Sequence, residues 1–288
     1  MVQPLLSVLL LGMVPVWGSN AGAKPIASLL PVSPPAIRAE SHLLLLQEAQ
    51  AKVSASGMLV MDLESGQQLL GRLVDERRPI ASLTKLMTAL IIVEHHSMDE
   101  WVTIPVAAAE IGGNRAYLEA GQHYRVGDLL SALLILSAND AAVTLALYHS
   151  GSVESFVDAM NVRTQELGMS NTSYANPTGF DDPVQYSTPR DLAWLTMFAF
   201  REPEIHRRMG MRGTTIVSRE GVSTTLTHTH ALLHADTPVV AGKTGTTDGA
   251  GQCLLSVLSE QGRSMLVILL HSSQRYTDMR VLLDALAS

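Results

Sequence analysis

The chain has 288 residues, a formal net charge of −7 and 47% hydrophobic residues. That is enough chain to bury a large core in one or two domains, and an acidic balance without any basic stripe excludes a nucleic-acid partner. The single cysteine, Cys253, excludes an internal disulfide, and the apolar run around it points to a buried structural thiol.

Residues 5–17 are mostly apolar, and Ala21-Gly22-Ala23 gives the small-x-small pattern of a cleavage site, so residues 1–23 read as an export signal. The basic start usual for such a signal is missing, since residues 1–10 contain no Lys or Arg. The apolar run falls short of the roughly 20 residues that span a bilayer, which favours a secreted or periplasmic protein over an anchored one. Residues 24–50 read as a linker and lead-in, with Pro and Ser concentrated in 25–35, and residues 51–288 as one catalytic domain.

Gly57-Met-Leu-Val-Met-Asp62 and Gln68-Leu-Leu-Gly-Arg72, separated by a Gly-containing turn, predict a β-hairpin. From residue 81 to 95 the spacing is helical and nearly every side is apolar, which predicts a helix buried in the middle of the fold. Residues 126–136 and 140–150 predict two helices joined tightly at Ser137-Ala-Asn139. Helices are further expected at 156–167, 188–201, 204–210 and 277–287, and strands at 214–217, 239–246, 252–259 and 264–271, with Glu260-Gln-Gly262 as a turn. Strands at both ends with helices between them indicate an α/β (α+β) architecture. It is an antiparallel sheet flanked by helices, with an inserted helical lobe at about residues 103–210 and the active site in the cleft between.

Three short motifs carry chemistry: Ser82-Leu-Thr-Lys85, Ser137-Ala-Asn139 and Lys243-Thr-Gly245. Each is weak alone, but in this order and context they supply a hydroxyl nucleophile, an amine to activate it, a second hydroxyl with an amide, and a cationic strand. Ser82 and Lys85 sit at i and i+3, on one face of a helix. The chain has only four lysines, Lys24, Lys52, Lys85 and Lys243, and its other basic residues are arginines. Two of the four fall inside motifs, as expected where an amine must shed a proton, which a guanidinium cannot do. Ser82 is the candidate nucleophile and Lys85 its base, with Ser137 passing a proton between Lys85 and the leaving amine. Asn139 would hold the substrate amide and Lys243 with Thr244 its carboxylate. The backbone N–H groups of Ser82 and Thr246 would form the oxyanion site.

These segments resemble the low-molecular-mass penicillin-binding proteins of the D-alanyl-D-alanine carboxypeptidase group, serine DD-peptidases like those of peptidase family S11, over residues 54–287. The likeness rests on Arg78-Pro-Ile-Ala-Ser-Leu-Thr-Lys-Leu-Met-Thr88, on Leu167-Gly-Met-Ser-Asn-Thr172 with Asn176-Pro-Thr-Gly179 and Ser187-Thr-Pro-Arg-Asp191, and on Gly242-Lys-Thr-Gly-Thr-Thr247. The resemblance implies the β-lactamase/transpeptidase-like fold and a serine carboxypeptidase acting on peptidoglycan stems that end in D-Ala-D-Ala, with β-lactams as inhibitors. It needs no cofactor or metal. It implies that the 167–191 stretch packs the helical lobe, and that Arg275 joins Lys243, Thr244, Gly245, Thr246 and Asn139 in binding substrate. Ala138 stands where glycine is commoner, and His228 and His230 stand where asparagines are usual. The chain lacks the β-rich domain and amphipathic helix that anchor many relatives, so a C-terminal membrane anchor is not expected.

Alternatives are a DD-endopeptidase acting on cross-links, a β-lactamase and a non-catalytic wall-binding module. A β-lactamase needs an added carboxylate base, and no Glu-x-x-x-Asn segment in such a context lies between Asn139 and Lys243. His228, His230 and His234 lack the spacing of a zinc motif and are expected as solvated loop residues near the cleft.

Overall fold

The computed structural model describes residues 35–260 and 262–287, so the export signal expected at 1–23 and the Pro- and Ser-rich stretch up to residue 34 lie outside the described residues. In chain order the elements are α1 (Pro35–Lys52), β1 (Gly57–Asp62), β2 (Gln68–Arg72), a 3-10 turn at Ala81–Thr84, α2 (Lys85–His95), β3 (Trp101–Thr103), α3 (Val106–Ala109) and β4 (His123–Arg125). There follow α4 (Val126–Ser131), a π-turn at Ala132–Leu136, α5 (Asn139–Ser150), α6 (Val153–Glu166), α7 (Pro189–Ala199) and α8 (Pro203–Gly210). The chain ends with β5 (Gly213–Val217), β6 (Ser223–Thr227), a 3-10 turn at Ala231–His234, β7 (Val239–Thr247), β8 (Gly251–Glu260), β9 (Arg263–Ser272) and α9 (Arg275–Leu286).

Five strands form one antiparallel sheet in the order β2-β1-β9-β8-β7. Its central strands read as unbroken apolar runs because both faces are covered. Side chains alternate across a strand, so Met58, Val60, Leu254, Val267 and Leu269 face one layer with Met279 and Leu282 of α9. Leu59, Met61, Leu255, Leu266 and Ile268 face the other, where the helical lobe supplies Leu86, Leu90, Leu192 and Leu195. Each fully buried leucine contributes about 2 kcal/mol, so two such layers fix the sheet register firmly.

The lobe that the sequence places at about 103–210 is inserted between the hairpin and the last three strands of the sheet. Two of its helices, α6 and α7, begin at polar caps: Ser152 accepts the N–H of Ser155, and Thr188 accepts that of Asp191, with Pro189 in the first turn.

Four differences from the sequence reading have physical causes. Residues 35–50, assigned to a lead-in, are helical as part of α1, whose Leu46 and Ala49 pack with Leu282 and Leu283. The strand expected at 214–217 pairs with an unexpected partner, β6, whose Ser-Thr-Thr-Leu-Thr buries only Leu226 and so shows little apolar pattern. β3 and β4, three residues each, are too short to show a period. The helix expected through residue 136 changes at Ser131 to a π-turn ending in Ser137 at φ +65°. The N–H of Ala138 closes it on the carbonyl of Ala132, which reverses the chain into α5. In the expected turn at 260–262, Gln261 lies outside the described residues.

Candidate active site

Ser82 sits in the 3-10 turn that precedes α2, and Lys85 opens the helix one turn later. The residue before the serine, Ala81, is held at φ +47°, a strained value for alanine. The turn is gripped from two sides. A Cβ on Gly245 of β7 would lie 2.9 Å from the Ser82 nitrogen, and one on Gly179 would lie 2.0 Å from the Ala81 carbonyl oxygen. Glycine at both places is what lets strand and loop touch the serine turn.

Lys85 is fully buried. Its Nζ lies 2.9 Å from Ser82 Oγ, 2.7 Å from Asn139 Oδ1 and 2.6 Å from the Thr178 carbonyl oxygen. Burial lowers its pKa to about 7, and the charge of Asp140 offsets part of that shift. An amine in this state, in contact with a serine hydroxyl, is equipped to take its proton.

Ser137 stands in a different contact from the one expected. Its Oγ accepts a 2.6 Å hydrogen bond from Lys243 Nζ, while Lys85 is committed to Ser82, Asn139 and Thr178. The left-handed turn at Ser137 aims the side chain at β7, which is why the pairing differs. Lys243 is buried as well; desolvation lowers its pKa well below the usual lysine value, and the charges of Lys85 and Arg275 add to the effect. Asn139 begins α5, and its Nδ2 donates to the Gly112 carbonyl at 2.8 Å.

At the strand, Thr244 Oγ1 lies 2.7 Å from Thr229 Oγ1, and Thr246 Oγ1 donates to the Gly245 carbonyl at 2.8 Å. Arg275, the first residue of α9, reaches Gly245 O and Thr246 Oγ1, both at 2.8 Å. The nine side chains and backbone groups singled out in the sequence therefore converge on one site between lobe and sheet.

Two members were missed. Thr178 contributes a backbone carbonyl, which leaves no side-chain signature, and the resemblance implies only lobe packing for the Asn176-Pro-Thr-Gly179 segment. Asn176 Oδ1 shapes that loop by accepting from the N–H groups of Thr178, Gly179 and Phe180. Thr229 is the other, an unremarkable threonine between two histidines. Those histidines correct the expectation of solvated loop residues, since His228 and His230 are buried. The ring of His230 bonds Ser256 at 2.8 Å, and His228 Nδ1 accepts the backbone N–H of His230. Burial, with the charge of Lys243 nearby and for His230 that of Arg275 as well, lowers both pKa values to about 3, so both are neutral. Among the described residues, no group of three or more His, Cys, Asp or Glu is arranged to hold a metal ion. Cys253 is buried, as expected.

The sequence profile of peptidase family S11, D-alanyl-D-alanine carboxypeptidase, matches residues 45–273. The chain belongs to this family. Among family relatives, it is 33% identical to the D-alanyl-D-alanine carboxypeptidase DacF of Bacillus subtilis, over 69% of this chain and 53% of that one. It is 31% identical to the D-alanyl-D-alanine endopeptidase of Pseudomonas aeruginosa, over 79% of this chain and 74% of that one. Among solved structures, the Streptomyces K15 DD-transpeptidase superposes with a TM-score of 0.77 at 27% identity, over 82% of this chain and 98% of that one. The chain spans about half the length of several carboxypeptidases it matches, including 53% of the Bacillus subtilis protein and 56% of the Haemophilus influenzae one. The fold is therefore that of the DD-peptidases and DD-transpeptidases, an antiparallel sheet with a helical lobe. No helix among the described residues is long and apolar enough to cross a membrane.

Proposed function

We propose that this protein is a serine D-Ala-D-Ala carboxypeptidase that trims peptidoglycan stem peptides through an acyl-enzyme on Ser82. The observation that carries the reading is the 2.9 Å contact between Ser82 Oγ and a fully buried Lys85. Lys85 takes the hydroxyl proton as Ser82 attacks the carbonyl of the penultimate D-alanine. The N–H groups of Ser82 and Thr246 receive the developing oxyanion. Ser137 hands its proton to the leaving amine and is reprotonated by Lys243, whose bond to Ser137 already has the direction this needs. Asn139 orients the substrate amide, while Lys243, Thr244 and Arg275 hold the terminal carboxylate. Terminal D-alanine departs, Lys85 loses its proton to solvent as Lys243 regains one, and Lys85, neutral again, takes a proton from the water that hydrolyses the ester on Ser82.

A β-lactam acylates the same hydroxyl. No carboxylate contacts Ser82 or Lys85 among the described residues, and Asp140 accepts the backbone N–H groups of Ala116, Leu118 and Ala141. A long-lived adduct rather than rapid turnover follows, which separates this protein from a β-lactamase. Cleavage of cross-links is the second reading, supported by similarity to the endopeptidases of Pseudomonas aeruginosa and Escherichia coli. The apolar run and small-x-small site of residues 1–23 support export to the periplasm or beyond.

The test uses two muropeptides, a monomeric pentapeptide and a cross-linked dimer, read by mass with Ser82→Ala as control. Loss of one D-alanine from the monomer establishes the carboxypeptidase, and conversion of dimer to monomers establishes the endopeptidase. No change beyond the control in either substrate would refute both and leave a binding module.

A further inference from the structure

Tyr117 is 75% exposed and held at φ +59°, a left-handed conformation that tyrosine adopts only under constraint. The constraint is Asp140. Its buried carboxylate accepts the backbone N–H of Ala116 through Oδ1 and that of Leu118 through Oδ2, each at 3.1 Å. The two amides flanking Tyr117 are thus pinned on one carboxylate, Ala116 and Leu118 are buried, and the ring between them turns outward.

This clamp belongs to the walls of the candidate site. Asp140 directly follows Asn139, which bonds Lys85. The segment that carries Tyr117 also holds Asn139: the Gly112 carbonyl accepts from its Nδ2 and the Asn114 carbonyl from its backbone N–H, each at 2.8 Å. Phe180, partly exposed on the loop that brings Thr178 to Lys85, meets the same segment. A Cβ on Gly113 would stand 3.3 Å from the Phe180 ring and 2.6 Å from Asn139 Nδ2. The segment that carries Tyr117 and the loop that carries Phe180 therefore both border Asn139 on the lobe side, while Arg275 and Thr244 lie on the strand side.

A left-handed tyrosine costs roughly 1–3 kcal/mol, and an exposed ring recovers none of it by burial. Burial within this chain therefore does not offset the strain at Tyr117. The Arg115 guanidinium stacks on it, 5.0 Å from the centroid, leaving the other face open. A cation already on the ring weakens its attraction for a second one, so methylene groups suit the open face better than an ammonium.

We propose that Tyr117, with Phe180, is a specificity-determining contact for the acyl-donor peptide, its ring packing against the aliphatic side chain that precedes the attacked D-alanine, with Asp140 as the positioning residue. The proposal rests on the reading of the site given above. With the carboxylate held at the strand and the substrate amide at Asn139, the upstream peptide leaves along the Tyr117 segment.

The test compares kcat/KM for a pentapeptide stem and for N-acetyl-D-alanyl-D-alanine, which has no upstream side chain. The expected result is a stem-to-truncated ratio at least tenfold lower in Tyr117→Ala than in wild type, and largely kept in Tyr117→Phe. Tyr117→Gly, which accepts φ +59° without strain, should show the same loss with no fall in Tm, which a merely structural role would not give. A ratio changed less than twofold in both the Ala and Gly variants, or a wild type indifferent to the upstream residue, would overturn the proposal. A wild type that processes neither peptide and takes no β-lactam refutes instead the reading on which it rests.

Discussion

Lys243 Nζ donates a 2.6 Å hydrogen bond to Ser137 Oγ, across 106 positions of sequence. The site thus keeps two buried amines on two different hydroxyls, Lys85 on Ser82 and Lys243 on Ser137. Removing one should not be rescued by the other. Ser137→Ala should slow acylation by about 10²-fold or more, in the range of a lost proton-transfer group, with Tm nearly unchanged. Stopped-flow acylation by a fluorescent penicillin measures it.

The base should show in the pH profile. Lys85 titrates near 7, so its neutral, active fraction grows as pH rises through that value. Acylation at limiting β-lactam should increase about tenfold from pH 6 to 8 and then level off. Lys85→Arg stays protonated throughout this range and should lose about 10³-fold while remaining folded.

Gly179→Ala places a methyl group 2.0 Å from the Ala81 carbonyl at φ +92°, so the loop and the serine turn cannot both keep their positions. It should cost about 2–4 kcal/mol of stability and more than 10²-fold in acylation. Thermal denaturation and the same stopped-flow assay check both.

His228 and His230 make the fold acid-sensitive. Both are neutral in the folded protein down to about pH 3, whereas unfolded histidines bind protons below about 6.5. Between those limits the unfolded state binds more protons, so stability is lost as pH falls. Each histidine contributes up to about 1.4 kcal/mol per pH unit within that window. Tm measured from pH 7 to 4.5 should fall steeply in the wild type and less steeply in His228→Asn with His230→Asn.

Cys253 lies in β8 with its thiol pKa pushed up to about 11 by burial. A thiol reagent at pH 8 should leave it unmodified in the native protein, with activity intact, and label it fully in denaturant. Mass spectrometry after labelling reads both states.

How much was legible in the sequence follows from what each group is made of. The sheet was readable because Val60, Leu255 and Ile268 sit in runs buried on both faces. The three motifs were readable because Ser82, Lys85, Ser137, Asn139 and Lys243 act through side chains of distinctive type. What escaped acts through the backbone or through partners remote in sequence. Thr178 supplies a carbonyl, and Gly179 matters for an atom it lacks. Asp140 was invisible beside Asn139 because its partners, Ala116 and Leu118, lie more than twenty residues upstream. His228 and His230 looked like loop residues because the layer that buries them, β7 and β8 with Tyr276, comes later in the chain.

The most direct measurement is the intact mass of the protein after incubation with benzylpenicillin, followed by mapping of any modified peptide. A stoichiometric, long-lived adduct on Ser82, absent in Ser82→Ala and formed much more slowly in Lys85→Arg, is the predicted result. No adduct in the wild type, or one that persists in Ser82→Ala, would contradict the assignment of Ser82 as the acylated nucleophile.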